Sequence, residues 1–111
     1  MRFLFAAFSL IFSLSLSAAN TPSTKKLIEA IQLNDIEMAE EAVAAGANLS
    51  SNDDDGWPLI VLAASSGDQK MMSIFLSRKL DIDQKGPDGR TALIHSIMRG
   101  NEKTAFQLIE K

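Results

Sequence analysis

Cysteine is absent from this 111-residue chain. That single absence removes disulfides, thiolate catalysis, cysteine-ligated metal centres and any lipoprotein-type lipid attachment. Histidine is almost as scarce. His95 stands alone, with no second His and no paired carboxylates at ligand spacing, whereas a metal or acid–base site needs convergent partners. It reads as a packed or half-exposed filler. Serine is plentiful, but none sits in a G-x-S-x-G elbow, and Ser65-Ser66-Gly67 reads as a helix ending. Positive charge is also short: 11 Lys or Arg face 14 Asp or Glu, a net −3. Nucleic-acid binding wants a clustered basic face, and surface binding to membranes wants a basic amphipathic helix; neither is present. Nor is there a long apolar run, since Phe3 to Leu16 falls short of the roughly 20 residues of a spanning helix.

That apolar run has another reading. Met1-Arg2 makes a minimal positive start, and Ser17-Ala18-Ala19 places small residues before a cut between Ala19 and Asn20. This is the pattern of a secretory signal peptide over residues 1–19. Removing it takes Arg2 and no acid, which moves the net charge from −3 to −4. The expectation is an exported, periplasmic or secreted protein, with no membrane attachment after cleavage. Such a domain without disulfides must be held by its core alone, which suits a repeat stack.

The core signal is an internal repeat. Gly56-Trp57-Pro58-Leu59-Ile60-Val61-Leu62-Ala63-Ala64-Ser65-Ser66-Gly67-Asp68 returns 33 residues later as Gly89-Arg90-Thr91-Ala92-Leu93-Ile94-His95-Ser96-Ile97-Met98-Arg99-Gly100-Asn101. Ile60, Val61 and Ala64 align with Leu93, Ile94 and Ile97, and Phe75-Leu76 with Leu108-Ile109. One period earlier, Leu27, Ile28, Ala30 and Ile31 fall under the same helix, Asn34-Asp35 under Gly67-Asp68, and Ala42-Val43 under Phe75-Leu76. Periods of about 20–50 residues mark stacked repeat proteins, in which about three units are needed because none buries its apolar face alone.

These residues resemble the ankyrin repeat family. The frame D-x-x-G-x-T-P-L-H-x-A-A-x-x-G is visible in Asp53 to Gly67 and again from Gly86-Pro87-Asp88-Gly89-Arg90-Thr91-Ala92-Leu93-Ile94, while Ala42-Val43-Ala44-Ala45-Gly46-Ala47 resembles the closing L-L-x-x-G-A. Pro58 stands where the family opens its helix with Thr, and Val61 and Ile94 stand where it carries His. The Thr–His hydrogen-bonded bracket is therefore missing. The resemblance implies an all-α solenoid of about three helix-turn-helix units with short projecting finger loops.

The chain then divides into residues 1–19, a leader over 20–24, and repeats at about 25–52, 53–85 and 86–111. The expected helices run from Lys25 to Leu33, Ile36 to Ala45, Pro58 to Ser66, Gln69 to Lys79, Thr91 onward, and Asn101 to Glu110, with Gly46 as a stop and Thr91 as a cap. Ile74, Phe75, Leu76, Phe106, Leu108 and Ile109 are expected between the helix layers. Ser51-x-Asp53-x-Asp55-Gly56 resembles the start of a calcium loop, but its twelfth position is Leu62 rather than Glu; Asp81-x-Asp83 fails similarly at Lys85 and Ala92. Both read as turns, and neither a metal nor another cofactor is expected.

The resemblance implies partner contacts at the finger tips and the concave helix face. Those positions are Asp54, Asp55, Trp57, Ser65 and Ser66 in the second copy, and Pro87, Asp88, Arg90, Met98 and Arg99 in the third. Gln32 and Leu33 are their counterparts in the first. Trp57 is the sharpest candidate, since Trp and Arg are rich in interface energy, though its ring can equally fold back over Pro58 and the next finger. Asp53 to Asp55 would form an acidic rim for a basic partner. The chain is therefore expected to be a monomeric, non-enzymatic module that binds a protein partner, the alternative being an immunity protein that neutralises a secreted toxin or hydrolase.

Overall fold

The computed structural model describes residues 21–110; the expected signal segment lies outside them. Six helices follow one another: α1 (Pro22–Leu33), α2 (Ile36–Ala44), α3 (Leu59–Ser66), α4 (Gln69–Leu76), α5 (Ala92–Met98) and α6 (Glu102–Glu110). Among the described residues the only β feature is an isolated antiparallel bridge, Asn52 to Pro58. The helices form two layers. In one, α3 packs between α1 and α5; in the other, α4 packs between α2 and α6. No helix of the described residues is long and apolar enough to cross a membrane.

Local chemistry sets the helix starts. Thr21, Asp35, Asp68 and Thr91 each cap a helix by accepting a backbone N–H from its first turn, satisfying donors that have no intrahelical partner. Pro58 precedes α3 and supplies no such bond. The sharp turns between paired helices need a left-handed residue. Gly67 supplies it with φ 75°, and Asn34, the one positive-φ non-glycine described, with φ 55°; Asn is among the few side chains that tolerate that region.

Packing makes α3 the centre. Leu59, Ile60, Val61, Ala63 and Ala64 are all fully buried, an apolar face much wider than the stripe of an ordinary surface helix, with Ser65 and Ser66 on the side left open. Met71, Met72 and Phe75 of α4 complete the core. Polar stitches fix the repeats to one another, two at the helix–helix turns and one between helices α4 and α6. Asn34 Nδ2 donates to Asp68 Oδ2 at 2.9 Å, Asn101 Nδ2 to the Ala64 carbonyl at 3.2 Å, and Gln107 Nε2 to Ser73 Oγ at 3.1 Å. Asn101 sits directly against Gly67, where an added Cβ would meet its Oδ1 at 2.8 Å.

Three expectations are corrected. Residues 22–24 belong to α1 rather than to a leader: Thr24 is fully buried and accepts the Asn48 N–H at 3.0 Å, and Ser23 Oγ donates to the Ala45 carbonyl. α4 ends at Leu76 rather than Lys79, because Ser77 Oγ bonds back to the Ile74 carbonyl while Leu80 and Ile82 fold onto the core. Phe106 and Ile109 do not fill the gap between layers; they are 60% and 63% exposed, on a face of the third repeat that no further helix of the described residues covers.

Two consequences are measurable. Ala64→Leu inserts bulk at a site with no exposure and is expected to cost about 1–3 kcal/mol, read as a lower melting midpoint. Asp68 is held below its ordinary carboxyl value of 3.8 by the Met71 N–H first, then by Asn34 and Lys70. A depressed folded-state value stabilises the fold above the unfolded value and loses that contribution as pH falls through the folded one. Asp68→Asn, which keeps a cap, should flatten the acid loss of stability below about pH 4, whereas Asp68→Ala should cost about 0.5–2 kcal/mol at neutral pH.

Candidate functional site

The two fingers are the same turn built twice. In the first, Asp53 N donates to the Trp57 carbonyl at 2.9 Å; in the second, Gly86 N donates to the Arg90 carbonyl at 2.9 Å. Asp53 Oδ1 also accepts the N–H groups of Asp55 and Trp57, at 3.0 and 2.8 Å. Its carboxylate is spent on holding the turn. Asp54 and Asp55 are exposed beside it and make no ion pair among the described residues.

Between this finger and α1 lies an open groove of about 630 Å³, lined by Lys25, Ile28, Glu29 and Gln32 on the helix and by Asn52 to Asp55 on the finger. Lys25, Glu29 and Gln32 follow one another along α1, at spacings that put them on one face. Among the residues expected to bind, Asp54, Asp55 and Gln32 therefore share one cavity. Lys25, Ile28 and Glu29 were missed as its walls, although their spacing along α1 is the signal that points to them.

Trp57 lies elsewhere, half-buried against the core cluster. Its ring covers Gly86 so closely that an added Cβ there would fall 2.6 Å from Cζ3, and its centroid is 5.4 Å from that of His95 in an edge-on pair. His95 Nε2 in turn lies 2.9 Å from Asp88 Oδ2, off the line of a straight hydrogen bond. Asp88 Oδ1 accepts the Arg90 N–H at 3.0 Å, and the Arg90 guanidinium is 3.9 Å from its other oxygen. Partial desolvation pushes the Asp88 carboxyl up, but the Arg90 N–H and the charges of His95 and Arg90 outweigh it and hold the group below its ordinary value. Trp57, Asp88 and Arg90 thus come together with His95, a residue passed over as filler, in a cluster joining the two fingers.

The remaining candidates scatter. Ser65 is half-buried; Ser66 is exposed, with its hydroxyl donating to the Ala63 carbonyl at 2.7 Å. Pro87 is exposed on the second finger and Leu33 at the end of α1. Met98 and Arg99 are exposed at the end of α5, next to the uncovered face of the third repeat. Among the described residues no three His, Cys, Asp or Glu side chains are grouped so as to hold a metal ion.

Two layers of paired helices, fingers repeated with one hydrogen bond, and a left-handed residue at the same turn of each unit, Asn34, Gly67 and Gly100, are joined by a direct finding: a family model for ankyrin repeats, in three copies, matches residues 27–111. The chain belongs to the ankyrin repeat family. A search of curated proteins returned no match. Ankyrin repeats are in general protein-interaction modules, and their extended concave surfaces carry that binding.

The seating of Trp57 can be tested with its own fluorescence, since it is the only Trp. Gly86→Ala should displace the ring, shift its emission to the red, and cost about 1–3 kcal/mol by over-packing. Unchanged emission would mean that the ring does not rest on Gly86.

Proposed function

We propose that this ankyrin protein is an exported, non-catalytic module that grips a basic segment of a protein partner in the groove between α1 and the first finger. The groove carries the reading. Its volume, about 630 Å³, is in the range of small-molecule pockets of about 300–1,000 Å³, but such pockets are mostly apolar. Here the walls are polar apart from Ile28, and Asp54, Asp55 and Glu29 outnumber Lys25. One or two Lys or Arg side chains of a partner suit that lining. Asp54 and Asp55 project without internal partners, so they are available to steer such a surface.

Export rests on the segment before the helices, whose pattern is that of a signal peptide; cell fractionation checks it, with a periplasmic or secreted product starting near Asn20 as the expected result. A second reading, an immunity protein that neutralises a toxin or hydrolase, uses the same acidic surface. The partner's activity in the presence of the module separates the two, because an inhibitor abolishes it and a support protein does not.

Charge reversal tests the groove. Asp54→Lys with Asp55→Lys touches only exposed turn positions, so stability should move by no more than about 0.5 kcal/mol. Capture of the partner from envelope extract should be lost or greatly weakened, and association at low salt slowed by about tenfold or more. Undiminished capture by the reversed variant would overturn the assignment of the groove.

A further inference from the structure

Among the described residues the large exposed apolar side chains are Leu33, Ile94, Ile97, Met98, Phe106 and Ile109. All but Leu33 belong to α5 and α6, at one end of the stack. Their positions have counterparts one period earlier. Ile94, Ile97 and Ile109 align with Val61, Ala64 and Leu76, which are at most 9% exposed in the second repeat, where a third repeat follows. Among the described residues no repeat packs on this face, and in two of the three places it carries a larger side chain than its counterpart. Between Ile97, Ala105, Phe106 and Ile109 it holds a hollow of about 370 Å³.

We infer that this face docks the same face of a second copy of the chain, giving a two-fold dimer joined end to end through α5 and α6. The opposite end of the stack does not fit it. There Leu33 is the one large exposed apolar side chain, and the helices of the first repeat carry Glu29, Glu37, Glu40 and Glu41 against Lys25 and Lys26, so head-to-tail stacking would bring an apolar face to a repeat that is acidic overall. The α5–α6 end balances its charges, Arg99 and Lys103 against Glu102 and Glu110. A two-fold contact pairs each residue with its counterparts on an identical surface, so it meets no net like charge here. It also offers self-complementary shape: Phe106, 60% exposed at the edge of the hollow, can enter the partner's hollow while the partner's ring enters its own. An aromatic side chain buries about 150–250 Å², so five half-exposed apolar side chains supply about 500 Å² per copy and about 1,000 Å² for the pair, the lower limit of a specific interface. The dimer is accordingly weak and concentration-dependent.

The test is sedimentation of the full chain, in the form the host processes it, from about 1 μM to 1 mM, with Ile97→Lys, Phe106→Lys and Leu33→Lys beside it. The expected result is a mass rising from one to two copies and stopping there. Ile97→Lys and Phe106→Lys, at exposed sites that leave the helical circular dichroism unchanged, should each hold the protein monomeric, and Leu33→Lys should dimerise as before. A monomer at every concentration overturns the inference. So does growth beyond two copies, or loss of association in Leu33→Lys, since either would mean head-to-tail stacking. Association undisturbed in both the Ile97 and Phe106 variants would place the contact elsewhere and overturn it equally.

Discussion

Enclosure of α3 is the constraint on which the rest depends. Its fully buried residues, Leu59, Ile60, Val61, Ala63 and Ala64, take up more than half of its circumference at helical spacing, so no single neighbour can cover them. α1 closes one side, α5 the other, and α4 the back. Ala63 and Ala64 let those neighbours approach, and the absence of a cap at Pro58 is tolerable because packing rather than propensity holds a short helix of this kind. The same geometry dictates where polar groups go. Asn34 with Asp68 and Asn101 with the Ala64 carbonyl lie along the turns, where hydrogen bonds can fix spacing between repeats without entering the apolar layer.

Much of this was legible in the sequence, because the signals are local. The period of 33 residues placed all six helices, and Asp35, Asp68 and Thr91 announced their own starts through side chains that bond within one turn. What escaped depends on distant or missing neighbours. Thr21 and Pro22 start α1 because Thr24 finds Asn48 across the unit, a contact no local pattern carries. Periodicity put Phe106 and Ile109 between the helix layers, where they are not, because a period cannot say whether anything lies against a face.

The candidate site divides along the same line. Turn chemistry predicted that Asp53 to Gly56 would form a tight finger, and the hydrogen bonds to Asp53 Oδ1 show how. The orientation of Trp57 rests on Gly86, a residue in the next finger whose missing side chain makes room for the ring. The Trp that looked most available for a partner is thereby part of the joint between fingers, and the exposed acids beside it are left as the accessible chemistry of that edge.

The enclosure of α3 also sets an order on how the molecule comes into being. A chain emerges from synthesis N-terminus first, so α1 and α2 are complete while the surfaces they require are still unmade. One side of α3 stays uncovered until Ala92 to Met98 have appeared, about one repeat period later. The first two units can pair before they arrive, since each repeat contacts only its neighbours, and the third then completes the cover over the central helix.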